Sequence, residues 1–149
     1  MKRIEPHEIK SRKPEKTIIN GKEFDVLNLY PCSVVALNDA FADFGKEQIE
    51  PNKVHCFSNG YCSLKVMGMF IRKHFLSIYK YYGKNERKPL KEFSFNKTKA
   101  IVCVQGHYIY VDGDTYYSYF DNEDDLVIAI WILVDLAAKW RKKDAKESN

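Results

Sequence analysis

No long hydrophobic run interrupts this chain, so a membrane-spanning helix is not expected. Its most apolar stretch, LVIAIWILV at 126–134, stops at Asp135 after nine residues, whereas a span needs about 20. That run reads as core. The apolar segment of a secretory signal is also missing, because residues 1–16 contain nothing resembling one. Without that signal, the cysteines at 32, 56, 62 and 103 read as reduced thiols of a cytoplasmic protein. Zinc-type spacing is lacking too. HCFSNGYC at 55–62 separates its cysteines by five residues, and no second ligand pair follows. Neither a metal nor a cofactor is expected. With no repeats and no long low-complexity segment, the 149 residues suit one domain that buries its own core.

What is present in quantity is aromatic. Ten Tyr and nine Phe raise the aromatic share to 14%, a composition that favours a substantial sheet. The net charge of +4 is unevenly placed, with basic ends and an acidic DNEDD at 121–125. Residues 1–16 read as a flexible basic arm, 17–140 as the single globular domain, and 141–149 as a basic polar tail. Such tails can contact phosphates but are more often solvated, so nucleic-acid binding through them is the weakest of the functional readings.

The pattern along the chain predicts helices first and strands second. TIINGKEFDVLNLY suggests a hairpin turning at Asn20-Gly21. In YPCSVVALNDAFADFG, Val34, Leu37, Phe41 and Phe44 recur at helical spacing, with Pro31 at the first position and Gly45 as the terminal cap. A second helix is predicted from about Ser63 to Tyr82. GKNERKPLKEFSFNKTK reads as a connection carrying at most a short strand. AIVCVQ is a buried strand, and HYIYV and TYYSYFD flank the hairpin signal DGD. LVIAIWILV is taken as a further strand, followed by a short helix. Two helices packed on a three- or four-stranded antiparallel sheet make an α+β domain.

One residue stands out. Cys32 falls in the first turn of its helix, where free N–H groups and the helix dipole favour a thiolate. A nucleophilic thiol needs a base, and four histidines are available. His7 lies in the arm, His74 within the second helix, and His55 beside Cys56. His107 follows Gly106 and opens a strand, so its ring projects from a sheet edge that a helix start can meet. Strand alternation puts His107, Ile109 and Val111 on one face. With a three-residue DGD loop, Asp121 becomes the diagonal same-face neighbour of His107. With a two-residue loop, Asn122 takes that place. Either can hold the imidazole, and Asp121 is favoured because a carboxylate also stabilises the imidazolium.

CSVVAL, GHYIYV and YYSYFD, in that order, resemble the papain-like cysteine peptidases. The likeness is greatest to their compact versions, the bacteriocin-processing peptidase domains and small phage-encoded relatives, and it covers about residues 25–134. The resemblance implies a papain-like fold, Cys32 as nucleophile, His107 as general base and acid, and Asp121 as the orienting residue. It implies a peptide, isopeptide or related amide substrate and an acyl-enzyme thioester. Many relatives carry a Gln about six residues before the nucleophile, as an oxyanion donor. Here that position is Val26, and Asn28 is the nearest side-chain donor. The alternative is a catalytically weak or inactive domain of the same layout that binds a protein partner through Tyr108, Tyr110, Tyr116, Tyr117 and Tyr119.

Overall fold

The computed structural model describes residues 1–7, 16–25, 32–49 and 62–134. Its strands are β1 (Lys2–Ile4), β2 (Lys16–Ile19), β3 (Lys22–Asp25), β4 (Leu76–Tyr81), β5 (Lys99–Val104), β6 (His107–Asp112), β7 (Thr115–Tyr117) and β8 (Val127–Val134); its helices are α1 (Cys32–Asp43) and α2 (Leu64–His74). The protein is α+β, with a six-stranded mixed sheet in the order β1-β7-β6-β5-β8-β4. β1 runs parallel to β7, and every other pair in that sheet is antiparallel. The larger sheet corrects the expected three or four strands.

Local chemistry accounts for most element boundaries. β2 and β3 pair antiparallel across Asn20-Gly21, both with positive φ (51° and 76°), the conformation a two-residue hairpin turn demands. Gly45 ends α1 at φ 69°, and the Lys46 N–H reaches back to the Phe41 carbonyl at 2.7 Å, a glycine-capped C-terminus. At the start of α2 the Ser63 hydroxyl accepts from Val66 N–H at 3.2 Å, satisfying one of the free first-turn donors.

α2 stops at His74 rather than continuing to Tyr82. Arg72, Lys73 and His74 place positive charge at its C-terminal dipole, and Phe75 is already extended at φ −136°, ψ 147°. The aromatic and β-branched LSIYKY then pairs with β8 in unbroken register, from Leu76 opposite Val134 to Tyr81 opposite Ala129. The apolar positions that looked like one helical face belong to two elements.

The first seven residues are not a free arm. β1 forms the far edge of the sheet beside β7. The Met1 ammonium meets Glu123 at 3.4 Å, and both the N–H and the Nδ1 of His7 contact Asp39 Oδ1 on α1, at 2.6 and 2.9 Å. Residues 8–15, the expected helix after 134 and the 141–149 tail lie outside the described residues.

Both faces of the central strands β5, β6 and β8 are buried, while the β4 edge is exposed. On one, α1 and α2 cover Ile101, Cys103, Tyr108, Tyr110, Ala129, Trp131 and Leu133. The other carries Ala100, Val102, Val104, Ile109, Val111, Tyr116, Val127 and Ile130 under Leu90, Phe93 and Phe95. Those covering residues come from the 83–99 segment, which looked like a connection. It contributes a short 3-10 turn at Leu90–Glu92 and a single bridge from Pro89 to Leu126.

Candidate functional site

Cys32 is the first residue of α1 and half-buried against the helix-side core. The opposite end of α1 is fixed by Asp43, which takes a 2.5 Å ion pair from Lys99 and a hydrogen bond from the Tyr110 hydroxyl. Lys99 begins β5. At about 1.5 Å rise per residue, a twelve-residue helix spans roughly the length of a six-residue strand. Cys32 therefore comes to the other end of β5, near Cys103. Burial, and then the proximity of Cys32, push the Cys103 thiol up to about 12. Cys62 joins the same core layer, and its carbonyl accepts from the Tyr108 hydroxyl at 2.5 Å. Cys56 and His55 lie outside the described residues.

His107 sits at that same end of the sheet. Val104 and His107 are the closing pair of the β5–β6 hairpin, whose loop is Gln105-Gly106 with Gly106 at φ 73°. Alternation decides where the ring goes. Cys103 and Tyr108 pair on the helix side, while Val104, Ile109 and Val111 lie in the opposite layer. His107 shares their parity. Cys32 and His107 thus meet at one end of the sheet but from opposite faces, and the structure does not bring thiol and ring onto one side.

The half-buried His107 has the Phe120 ring edge at 6.1 Å between centroids and the Ser118 hydroxyl 3.5 Å from Nε2. Burial lowers its pKa, with Asp125 opposing that shift.

The register selects between the two candidates for an orienting group. β6 and β7 pair as Tyr110–Tyr117, Val111–Tyr116 and Asp112–Thr115, which leaves Gly113-Asp114 as a two-residue loop. In that register Asn122, not Asp121, lies toward His107. Asp121 is exposed and accepts from the Tyr116 hydroxyl at 3.2 Å and from Glu123 N–H at 3.0 Å. Asn122 is 4% exposed and holds Ser118 on one side and Asp125 on the other. Asn28 lies outside the described residues.

Ser118 and Asp125 lie within YYSYFD and DNEDD, but neither pattern marks them as partners of the imidazole. The one available signal was parity: in the two-residue register Ser118 falls on the same face as Tyr116 and His107.

The tyrosines offered as a contact surface are mostly interior. Tyr108, Tyr110 and Tyr116 are no more than 4% exposed, and Tyr117 and Tyr119 are half-buried. Tyr110 packs on Tyr117 with centroids 5.5 Å apart, which is cross-strand packing. A cavity of about 760 Å³ lies beside the Gly113-Asp114 turn, lined by Lys91, Phe93, Phe95 and Lys97 among others. It is at the end of β6 away from His107 and contains none of the candidate residues. Among the described residues no cluster of three His, Cys, Asp or Glu side chains could hold a metal ion, and no helix is long and apolar enough to cross a membrane. Comparison with family models, curated proteins and solved structures finds no match to this chain.

Proposed function

We propose that the protein is a cysteine-dependent amide hydrolase of papain-like type, with Cys32 as nucleophile and His107 as its base and acid. The observation that carries this reading is the convergence at one sheet end of a helix-start cysteine and a strand-start histidine. His107 is the last rung of its hairpin, so only the Gln105-Gly106 loop lies beyond it. The reading requires thiol and ring to come together when substrate binds.

In the reaction, His107 takes the Cys32 proton and the thiolate attacks the carbonyl carbon, forming a C–S bond. Collapse of the tetrahedral adduct breaks the C–N bond, and the amine leaves with the proton from the imidazolium. Water then gives a proton to His107 and attacks the thioester. The C–S bond breaks, the acid departs and the thiol is restored. In this reading the N–H groups at the start of α1 stabilise the oxyanion.

A second reading, a domain of this layout that binds without catalysis, is favoured by the opposite facing of Cys32 and His107. Alkylation with iodoacetamide near pH 7, mapped by mass spectrometry, separates the two. The hydrolase reading expects selective modification of Cys32, lost or much slowed in His107→Ala. Equal slow labelling of Cys32 in both proteins favours the binding domain.

A further inference from the structure

The side chains around His107 have donor and acceptor roles that leave one consistent assignment. Asn122 Nδ2 lies 2.7 Å from Asp125 Oδ2. Turning that amide over would set an oxygen against a carboxylate, so Nδ2 faces Asp125 and Oδ1 faces Ser118. The Ser118 Oγ to Asn122 Oδ1 distance is 2.5 Å. An amide oxygen only accepts, so the serine proton is committed to that bond. Phe120 N–H donates to the same hydroxyl oxygen at 3.1 Å. Ser118 therefore has only a lone pair to offer His107 Nε2, 3.5 Å away, an arrangement that favours a hydrogen on Nε2.

We infer that Ser118, Asn122 and Asp125 are positioning residues that hold His107 as its Nε2–H tautomer and leave Nδ1 as the basic nitrogen. The chain runs one way: imidazole N–H to serine oxygen, serine O–H to amide oxygen, amide N–H to carboxylate. Asp125 is thereby the remote carboxylate of the histidine, acting through two neutral side chains. Among the described residues it is the one charge that acts on the ring, and it favours the imidazolium.

The relay is built in rather than incidental. Ser118 and Asn122 are buried. Asn122 N–H donates to the Tyr116 hydroxyl at 3.3 Å, Asp125 N–H to the Asn122 carbonyl at 3.1 Å, and Leu90 N–H to the Asp125 carbonyl at 3.0 Å. Ser118 N–H donates to the Ile4 carbonyl at 3.0 Å, so each member is anchored independently of the histidine it serves. Supporting bonds of this kind are what hold a functional ring in one orientation.

The role of Nδ1 as acceptor of the Cys32 proton rests on the hydrolase reading; the tautomer does not. Long-range proton–nitrogen NMR on the full chain with 15N-labelled histidine, assigned with His107→Gln, reads both the tautomer and the titration midpoint. In the wild type the neutral ring should be Nε2–H. Ser118→Ala should abolish that preference, Ser118→Thr should retain it, and Asp125→Asn should keep the tautomer while lowering the midpoint. An Nδ1–H ring in the wild type overturns the inference, as does a tautomer and midpoint unmoved by both Ser118→Ala and Asp125→Asn in variants whose melts show them folded. An Nε2–H ring that responds as expected, beside a Cys32 whose alkylation ignores His107→Ala, supports the relay and removes the hydrolase reading.

Discussion

Replacing Asp39 by Asn should change how stability depends on pH, by an amount the structure sets. Asp39 lies on α1, 1% exposed, with Oδ1 bound by His7 and Oδ2 without a hydrogen-bond partner among the described residues. Burial raises its pKa from 3.8 to about 6, with the two His7 bonds opposing the rise. The folded state then binds more protons than the unfolded state between those values. This group's contribution to stability is therefore full below pH 3.8 and is lost as pH rises through about 6. The whole effect is about 3 kcal/mol, of which about 2 kcal/mol falls between pH 4.5 and 7.5.

His74 and His107 slope the other way. Burial lowers both pKa values, so their contributions are lost as pH falls below about 6.5. The wild-type curve alone would blur the two effects, but its difference from Asp39→Asn reads the carboxyl together with its His7 contact. The asparagine NH2 occupies the place of an oxygen that had no partner, which adds a cost that does not vary with pH. Urea unfolding of both proteins at half-unit pH steps measures the difference. The wild type should lose about 2 kcal/mol relative to the variant on going from pH 4.5 to 7.5. A difference that stays flat across that range would mean Asp39 is not buried as an unfavourable carboxylate, and that β1 and its His7 clasp are misdescribed.

Cys103 should resist alkylation. With its thiol near 12, about one molecule in 10⁵ is thiolate at pH 7. Cys32 needs only the acidity of an ordinary thiol to react roughly 3,000 times faster, and comparable rates in the native protein would contradict the burial of Cys103. Asp121→Ala should leave the His107 titration in place, whereas Asn122→Ala should shift it and lower stability by about 1–3 kcal/mol; NMR titration and thermal melts of the two variants read this, and the reverse ranking would restore the longer loop register. Gly45→Ala should cost about 1 kcal/mol from left-handed strain alone, since the space around that position is open. A melt lowered by roughly 2–4 °C checks it.

How much could be read beforehand depended on whether one residue or a whole face carried the information. The Asn20-Gly21 turn, the helix of Cys32 and strands β5, β6 and β8 have local signals, and each appears where its signal lies. The boundary between α2 and β4 did not, because Phe75 and Ile78 fit a helical stripe and a strand equally well. β1 was hidden by its composition: exposed Lys2 and Arg3 look like solvated tail, yet they sit at a sheet edge, where charged side chains are expected. Parity correctly grouped His107 with Ile109 and Val111. It could not say which side α1 would cover, because Tyr108 and Tyr110 are as suited to burial as Ile109 and Val111. Central strands buried on both faces lose the polar-out signal that would have decided it. The same ambiguity hid Ser118, a short polar residue between tyrosines, until the two-residue register placed it beside the imidazole.

The pairing of Cys32 with His107 is the central claim, and the pH dependence of Cys32 alkylation tests it most directly. An isolated thiol reacts along a single curve with a midpoint near 8.5. A thiol that gives its proton to an imidazole shows a reactive plateau or shoulder well below that, at about pH 5–7. Rates for Cys32 should show that acidic component in the wild type and lose it in His107→Ala, while Cys103 stays inert in both. A single rise near pH 8.5, identical with and without His107, would mean the two residues share an end of the sheet and nothing else.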